Sequence, residues 1–330
     1  CRAELTHRVM VPFPISSFEL YERIVAQLCC FPDLLAARSV NQILRRASAG
    51  LLRQVLEWRL QHTDWAVRLR ALRAVLQVAK AEHDDVPKVA AAVSALLEDD
   101  DGRVREAAAN GLGLLVHRPC DDILEATARR LEHADMFVRF AAAGALSAVA
   151  ANSALLRNLI AKLVVVRLEH SVAGVRAVAA GVIGGLRDVD AFAVGGLVKC
   201  LADGDASVRH ASLKALEGVR SALDAEEYVQ RAVCASLADD EVAVRLAAAG
   251  TLAVLAKRGG THEADLNALL SGLKDNAWPV RRACAEALGK LAQPGDRAVM
   301  GCLRECSMSN EERTLVRRAA EEALSQLDTL

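Results

Sequence analysis

Aromatic side chains are nearly missing from this sequence. Phe, Trp and Tyr make up 3% of the 330 residues, although 53% of the residues are apolar. The interior must therefore be built mainly from Ala, Val and Leu. Small side chains at a contact let helices approach closely, so we expect an all-helical protein.

An excess of charge of either sign is also missing. The 41 basic and 42 acidic residues give a formal net charge of −1. The molecule as a whole lacks the basic surface that binding to phosphate backbones requires. We therefore expect no nucleic acid partner.

Long apolar runs and an even set of cysteines are lacking too. No uninterrupted apolar run approaches the roughly 18 residues of a membrane span, and no secretory signal is visible, so we expect no membrane insertion. Nine scattered cysteines, an odd number, are typical of reduced thiols and predict an intracellular, reducing compartment, the cytoplasm or the nucleus. The sequence begins at Cys1 rather than Met, so an organelle is not excluded.

The dipeptide Val-Arg recurs at a nearly constant spacing. Its eight copies begin at residues 67, 104, 138, 175, 208, 244, 280 and 316, between 33 and 37 residues apart. Copies in register over such a distance indicate a repeat architecture, in which each unit packs on its neighbours. An extended array is not bound by the limit of roughly 250–300 residues that applies to a single core.

Each Val begins an apolar stripe along a helix. A small residue follows four positions later in every copy, and Val, Leu or Ile follows eight and eleven positions later, as in Val280, Cys284, Leu288 and Leu291. Offsets of 0, 4, 8 and 11 lie on one helix face. We predict that the small column allows close helix contact and that the large columns fill the space between neighbouring helices.

A turn signal and a second apolar segment precede each Val. In five copies the residue three positions before Val is acidic and can cap a helix. These residues are Asp64, Asp101, Asp135, Asp205 and Glu241. Pro279 suits a first helical turn. Periodic segments at 86–98, 121–132 and 263–273 supply the upstream helices. Each unit is predicted to be helix, tight turn, helix, at approximately residues 51–80, 85–117, 120–151, 154–187, 190–220, 226–257, 262–293 and 296–327.

The order of Leu, acidic turn, Val-Arg, Ala and Leu resembles the HEAT repeat, especially its short form, over about residues 51–327. The resemblance implies an all-α fold, a right-handed α-solenoid of about eight helix pairs with the Val-Arg helices on the concave side. It also implies that the Arg after each Val pairs with an acidic residue of an adjacent turn. A structural ladder of ion pairs is therefore favoured over a row of ligand-binding arginines.

Residues 1–50 do not carry the repeat, while residues 51–330 form the solenoid. Helical periodicity in the first segment predicts a cap for the first repeat. Residues 15–48 also resemble an F-box, the module that docks substrate receptors onto a cullin ubiquitin ligase adaptor, although Leu44 stands where Trp is usual. The adaptor contacts implied by this resemblance are Leu20, Ile24, Leu28, Leu34, Leu35 and Val40. Cap and F-box-like segment remain alternatives.

Motifs for catalysis, metals and cofactors are lacking. No two of the eight histidines stand four apart on one helix, as a helical metal pair requires. HEAT-like deoxyhypusine hydroxylases need several His-Glu dipeptides, and His262-Glu263 is the only one here. Cys302 and Cys306 have no matching second pair, so burial explains them better than a metal. We predict no enzyme activity and no cofactor, with a subunit resembling HEAT-like bilin lyases as an outside alternative.

Two surfaces are candidates for binding a protein partner. Positions two, six and nine after each Val should line a concave groove, unless the helices are rotated by one position and these residues pack internally. An apolar floor with charged ends suits a helix or an extended peptide. The candidate groove residues are Phe140, Gly144, Ala177, Gly181, His210, Lys214, Leu246, Gly250, Arg282 and Glu286. The ridge of turns offers Trp65, Met136, Val242 and Trp278.

The sequence therefore favours a non-catalytic scaffold for protein–protein interaction, or a structural subunit of a larger assembly. Its partners would be other proteins, bound along the groove or the ridge. The alternative is an F-box-type substrate receptor, whose partner would be a cullin-ligase adaptor.

Overall fold

The computed structural model describes residues 59–79, 86–219, 226–259, 263–309 and 312–328, and within them the regular structure is helical. None of these helices is long and apolar enough to cross a membrane. The α-helices are α1 Trp65–Ala79, α2 Val86–Ala95, α3 Gly102–Leu115, α4 Asp121–Arg129, α5 Met136–Ala150, α6 Ala154–Val165, α7 Ala173–Leu186, α8 Ala191–Cys200, α9 Ala206–Gly218, α10 Glu226–Ala235, α11 Val242–Gly259, α12 Glu263–Gly272, α13 Trp278–Leu291, α14 Arg297–Met308 and α15 Thr314–Leu327. Single 3₁₀ turns at Leu96–Glu98, Arg130–Glu132, Val166–Glu169 and Ser236–Ala238 extend α2, α4, α6 and α10.

The chain divides into two compact units, Cys1–Val116 and His117–Leu330. In the first unit, α3 packs on both α1 and α2. In the second, α4 to α15 form six pairs of a first helix and a second helix, and we number these pairs repeats three to eight. The second helices pack in succession, α5 on α7, α7 on α9, α9 on α11, α11 on α13 and α13 on α15. This stacking of helix pairs confirms the predicted α-solenoid.

The predicted boundary at residue 50 lies outside the described residues. So does the whole cap or F-box-like segment, including Leu20, Ile24, Leu28, Leu34, Leu35 and Val40. The sequence does not predict the boundary between the two units after Val116. The Val-Arg copies on either side of this boundary are 34 residues apart, which falls within the range of the other spacings.

The predicted apolar stripe forms the core of the helix stack. The small residue four positions after Val has no exposed surface in any of the eight copies, which are Ala71, Ala108, Ala142, Ala179, Ser212, Ala248, Cys284 and Ala320. The Val itself is buried in all copies except the half-buried Val67. Burial of this face at about 25 cal/mol per Å² of apolar surface drives the stacking of successive repeats within each unit.

Glycines bring α7 and α9 into backbone contact. A Cβ placed on Gly184 would lie 2.5 Å from the Cα of Ala215, and a Cβ on Gly218 would collide with the carbonyl oxygen of Gly184. Only Gly leaves room for this approach. The Gly-rich stretch that begins at Gly181 therefore belongs to a helix interior, as predicted, and not to a phosphate-binding loop.

The turns are fixed mainly by the acidic residues that precede the second helices. Asp64, Asp101, Asp135 and Asp205 each accept a hydrogen bond from the backbone N–H two residues later, at 2.8 to 2.9 Å. These bonds confirm four of the five predicted caps. Pro279 lies in the first turn of α13, also as predicted.

One residue after α7 has an unusual backbone. Arg187 has φ 66° and ψ −52°, and the N–H of Asp188 donates to the carbonyl of Leu186 at 2.8 Å. This is the geometry of a γ-turn with a positive φ, which is strained for a residue that carries a Cβ.

Candidate functional site

The ten candidate groove residues lie on the second helices, and none of them belongs to the buried core. Phe140 is 55% exposed and Leu246 is 39% exposed. Of the others, four are exposed (Gly144, Gly181, Lys214 and Arg282) and four are half-buried (Ala177, His210, Gly250 and Glu286). The alternative in which these positions pack internally is therefore wrong.

A cavity of about 480 Å³ opens on the second helices of repeats three to five. It brings together four predicted groove residues and one residue predicted on the turn ridge, which are Phe140, Gly144, Ala177, Gly181 and Met136. Ser207 and Ala211 line it from α9. The groove and the turn ridge were predicted as separate surfaces. Met136 nevertheless belongs to the groove, because it is the first residue of α5, the helix that also carries Phe140.

The shape of this cavity follows from residue size. Gly144, Ala177 and Gly181 form the floor of the cavity and are too small to fill it. A Cβ on Gly181 would meet nothing within 4 Å. Met136 and Phe140 stand beside the floor, 47% and 55% exposed. An exposed apolar depression bordered by large apolar side chains is typical of a site that contacts another molecule.

The charged end of the groove is built from ion pairs within single helices. Arg282 donates from Nε to Glu286 at 2.7 Å, and the Nζ of Lys214 lies 2.8 Å from an oxygen of Glu217. Gly250 and Glu286 line a smaller cavity of about 150 Å³ between α11 and α13. Pairs this exposed contribute little to stability, which leaves the charges accessible to solvent.

The two tryptophans of the turn ridge are covered by arginines of the same chain. The guanidinium carbon of Arg103 lies 3.3 Å from the ring centroid of Trp65, and that of Arg313 lies 5.6 Å from the ring centroid of Trp278. Such cation–π contacts occupy a ring face. Val242, 40% exposed, and Met136 are the ridge residues with an open apolar surface.

Among the described residues, the Arg after Val forms a rung of the predicted ladder in five copies. In Arg68, Arg176, Arg209 and Arg245, Nε and Nη2 donate to both carboxylate oxygens of an aspartate in the next turn, at 2.6 to 3.0 Å. Arg281 makes the same bidentate pair with Glu312. The Nη1 of each Arg donates to two carbonyls of its own turn. Each arginine therefore ties two successive repeats together.

Four carboxylates of the ladder have a pKa below the usual value. Hydrogen bonds from Arg176 and Arg209 hold the pKa of Asp203 and Asp239 below their usual values, and a bond from Arg281 does the same for Glu312. At Asp275, burial raises the pKa, but the hydrogen bonds from Arg245 and from the backbone N–H of Ala277, together with the charges of Arg245 and Arg281, outweigh it, and the net shift is downward. These carboxylates are ionised at pH 7 and serve as structural anions.

One column of residues was not predicted from the sequence: it lies five residues before Val in seven copies and includes the aspartates that accept the hydrogen bonds of the ladder. Its side chain accepts a hydrogen bond from the backbone N–H two residues later, at 2.7 to 3.1 Å, in His62, Asp99, His133, His170, Asp203, Asp239 and Asp275. Asp and His both supply the acceptor, the latter through Nδ1. The recurrence of either Asp or His at a fixed distance before Val-Arg was the signal available in the sequence.

The cysteines of the described part are free thiols. Burial raises the pKa of Cys284 and Cys234 to about 12, and a hydrogen bond to Asp265 adds to the effect at Cys234. Cys302 and Cys306 are half-buried rather than buried. No group of three or more His, Cys, Asp or Glu side chains that could hold a metal ion is present among the described residues.

The sequence pattern of the HEAT repeats family matches residues 89–162 and 231–325, just over half of the chain. The chain belongs to the HEAT-repeat family. No curated protein matches it by sequence.

Solved HEAT-repeat solenoids share the fold of the chain at low sequence identity. Kap121p bound to Ste12p matches with a TM-score of 0.72 and 13% identity over 98% of this chain and 37% of the other. Kap121p bound to Pho4p matches with 0.69 and 15% over 98% and 38%, and the Kap95:Nup1 complex with 0.63 and 13% over 85% and 41%. The chain therefore spans about two fifths of the length of these structures.

Proposed function

We propose that this HEAT-repeat chain is a non-catalytic protein-binding scaffold, and that a partner docks on the second helices of repeats three to five. One observation carries the proposal. Met136 and Phe140 are both about half exposed beside a cavity of about 480 Å³ whose floor is made of small residues. A stable fold leaves such a surface uncovered when another molecule covers it in use.

The dimensions of the surface favour a single helix or an extended segment as the bound element. A helix laid into a groove buries large side chains at intervals of three or four residues. The small residues Gly144 and Gly181 leave space for such side chains, and Phe140 is an aromatic anchor of the kind that dominates protein interfaces.

The solved solenoids support a protein as the class of partner. Kap121p is bound to Ste12p in one of these structures and to Pho4p in another, and Kap95 forms a complex with Nup1. Because identity is 13 to 15%, the likeness extends to the fold alone, and the partner of this chain is proposed here only as a protein segment.

A reducing compartment, the cytoplasm or the nucleus, is part of the proposal. The free thiols of Cys200 and Cys284, both buried, support it because neither is paired in a disulfide. The F-box alternative concerns residues 15–48 and stays a prediction, as does the bilin-lyase alternative.

The test compares one substitution in the surface with a matched one outside it. Phe140→Asp places a charge in the proposed site. Phe192→Asp makes the same change at a residue that is 72% exposed on the first helix α8. Each tagged protein is incubated with extract from the native source, and the captured proteins are quantified by mass spectrometry after the melting temperatures are shown to agree.

We expect wild type and Phe192→Asp to capture the same proteins, and Phe140→Asp to lose at least tenfold of one or more of them. Identical capture by all three proteins would contradict the proposed surface. Turnover of a substrate by the purified chain, abolished by a point substitution, would contradict the non-catalytic role.

A further inference from the structure

Arg139 is the arginine of repeat three and departs from the ladder. Its Nη1 donates to the carbonyls of His133 and Ala134, both at 2.8 Å, as in the other repeats. The guanidinium is therefore held in the usual place. Its Nε, however, is buried without a hydrogen-bond acceptor among the described residues. A buried donor left without an acceptor is uncommon and costs stability.

The cause lies in the next turn, where His170 replaces the aspartate. The Nδ1 of His170 accepts the N–H of Val172 at 3.1 Å. In a neutral imidazole the other ring nitrogen then carries the proton and is a donor. His170 therefore satisfies its own turn, as Asp203 does in repeat five, but offers Arg139 no acceptor. Arg176, one repeat later, holds both oxygens of Asp203 with the same two nitrogens.

The Nε and Nη2 edge of Arg139 lies beside Gly174 at the cavity of the proposed site. A Cβ on Gly174 would lie 3.1 Å from Nη2 and 3.8 Å from Nε, so only glycine leaves the space next to this edge without a side chain of residue 174. Arg139 and Gly174 both line the cavity, and Arg139 is the one charged residue in its lining among the described residues. An apolar depression with a single guanidinium at its edge is complementary to a segment that combines apolar groups with one carboxylate.

We propose that the cavity between α5 and α7 binds an acidic side chain of a partner protein. The carboxylate pairs with Nε and Nη2 of Arg139 and takes the place that Asp or Glu of the next turn takes on the rungs of the ladder. A neighbouring apolar side chain of the same segment packs against Met136 and Phe140. This inference rests on the proposed function and adds to it the chemistry that the partner must carry.

Two pools of peptides test the inference directly. Both consist of acetylated and amidated dodecapeptides with apolar residues randomised around a fixed central residue, which is Glu in one pool and Gln in the other. The full chain is immobilised, and retained peptide is quantified by mass spectrometry. We expect wild type to retain the Glu pool at least tenfold over the Gln pool, because only a carboxylate forms the charged bidentate pair with Arg139.

Three variants assign the preference to Arg139. Arg139→Gln should bring the ratio of the pools close to one. Arg129→Gln removes an exposed cation from the first helix of the same repeat and should keep the wild-type ratio. His170→Asp supplies Arg139 with a carboxylate from the same chain. It should therefore abolish the preference for the Glu pool and raise the melting temperature. This variant decides the matter if Arg139→Gln fails to fold.

Equal retention of the two pools by wild type would overturn the inference, and so would a preference for Glu that survives in His170→Asp or in folded Arg139→Gln. These results leave the proposed function intact if Phe140→Asp still loses proteins that wild type captures from extract. Unchanged capture by Phe140→Asp refutes the proposed function itself, whatever the peptide pools show.

Discussion

The rung between Arg209 and Asp239 offers the best measurement of what the ladder contributes to stability. Nε and Nη2 of Arg209 donate to the two carboxylate oxygens at 2.7 and 2.8 Å. The perturbation is a double-mutant cycle of Arg209→Gln and Asp239→Asn, made singly and together. Asn keeps an oxygen for the N–H of Glu241, which donates to Asp239 at 2.9 Å. The cycle therefore isolates the ion pair from the turn.

The expected magnitude follows from how far the pair is shielded from water. Exposed pairs couple by about 0.2–1 kcal/mol, whereas removing one partner of a fully buried pair costs about 3–5 kcal/mol. The side chains of Arg209 and Asp239 are 15% and 10% exposed, so this pair lies between the two cases. We expect each single substitution to reduce the free energy of unfolding by about 2–3 kcal/mol and the coupling energy to be about 2 kcal/mol.

Urea unfolding followed by far-UV circular dichroism measures these energies if the slope of the transition is the same in all four proteins. The matched control is the cycle of Arg231→Gln and Glu227→Gln, a pair at 2.6 Å whose side chains are 75% and 81% exposed. We expect its coupling energy to stay below about 0.5 kcal/mol. A coupling at Arg209 and Asp239 no larger than that of the control would refute the claim that the ladder joins the repeats.

Three further outcomes are expected. Asp203 and Asp239 have lowered pKa values, so the unfolded state binds more protons than the folded state as the pH falls below about 4. The urea concentration at the midpoint of unfolding should therefore decrease below this pH. The decrease should be less steep in Asp203→Asn than in wild type. Glycine adopts a positive φ without strain, so the free energy of unfolding in urea should be about 1 kcal/mol higher for Arg187→Gly than for Arg187→Ala. Equal free energies would contradict backbone strain at residue 187. If residues 15–48 are an F-box, Leu35→Asp and Ile24→Asp abolish pull-down of the cullin adaptor; pull-down that persists, or never occurs, rejects that reading.

The fold was predictable because the repeat imposes the same physical demands eight times. A small residue such as Ala142 or Cys284 recurs wherever two helices meet, and its burial is complete in every copy. A register that repeats cannot arise from a chance apolar pattern. The caps at Asp101 and Asp205 were predictable for the same reason, since they stand at a fixed distance from Val.

The candidate site was predictable only in part. Helical geometry placed Phe140, Ala177 and Gly181 on one face, and the structure brings them to one cavity. The contribution of Met136 to that cavity, and the cover over Trp65, depend on how neighbouring repeats are oriented. Positions along a single helix carry no information about that orientation.

The departure at Arg139 required knowledge of the partner of each arginine. In sequence, Arg139 is one of eight equivalent residues, and the resemblance to the HEAT repeat implies the same structural role for all of them. The difference lies in His170, which stands 31 residues later and looked unremarkable among scattered histidines. Only the contact pattern of the turns shows that it leaves Arg139 without a carboxylate among the described residues.

Photo-crosslinking from position 140 tests the central claim, that the second helices of repeats three to five are a protein-binding surface. Benzoylphenylalanine replaces Phe140 in one protein and Phe192 in another, and each is irradiated in extract from the native source. The account predicts a defined adduct with another protein from position 140 that is absent from position 192 and is lost when Arg139→Gln is added. Adducts from position 192 alone, or none from position 140, would contradict it.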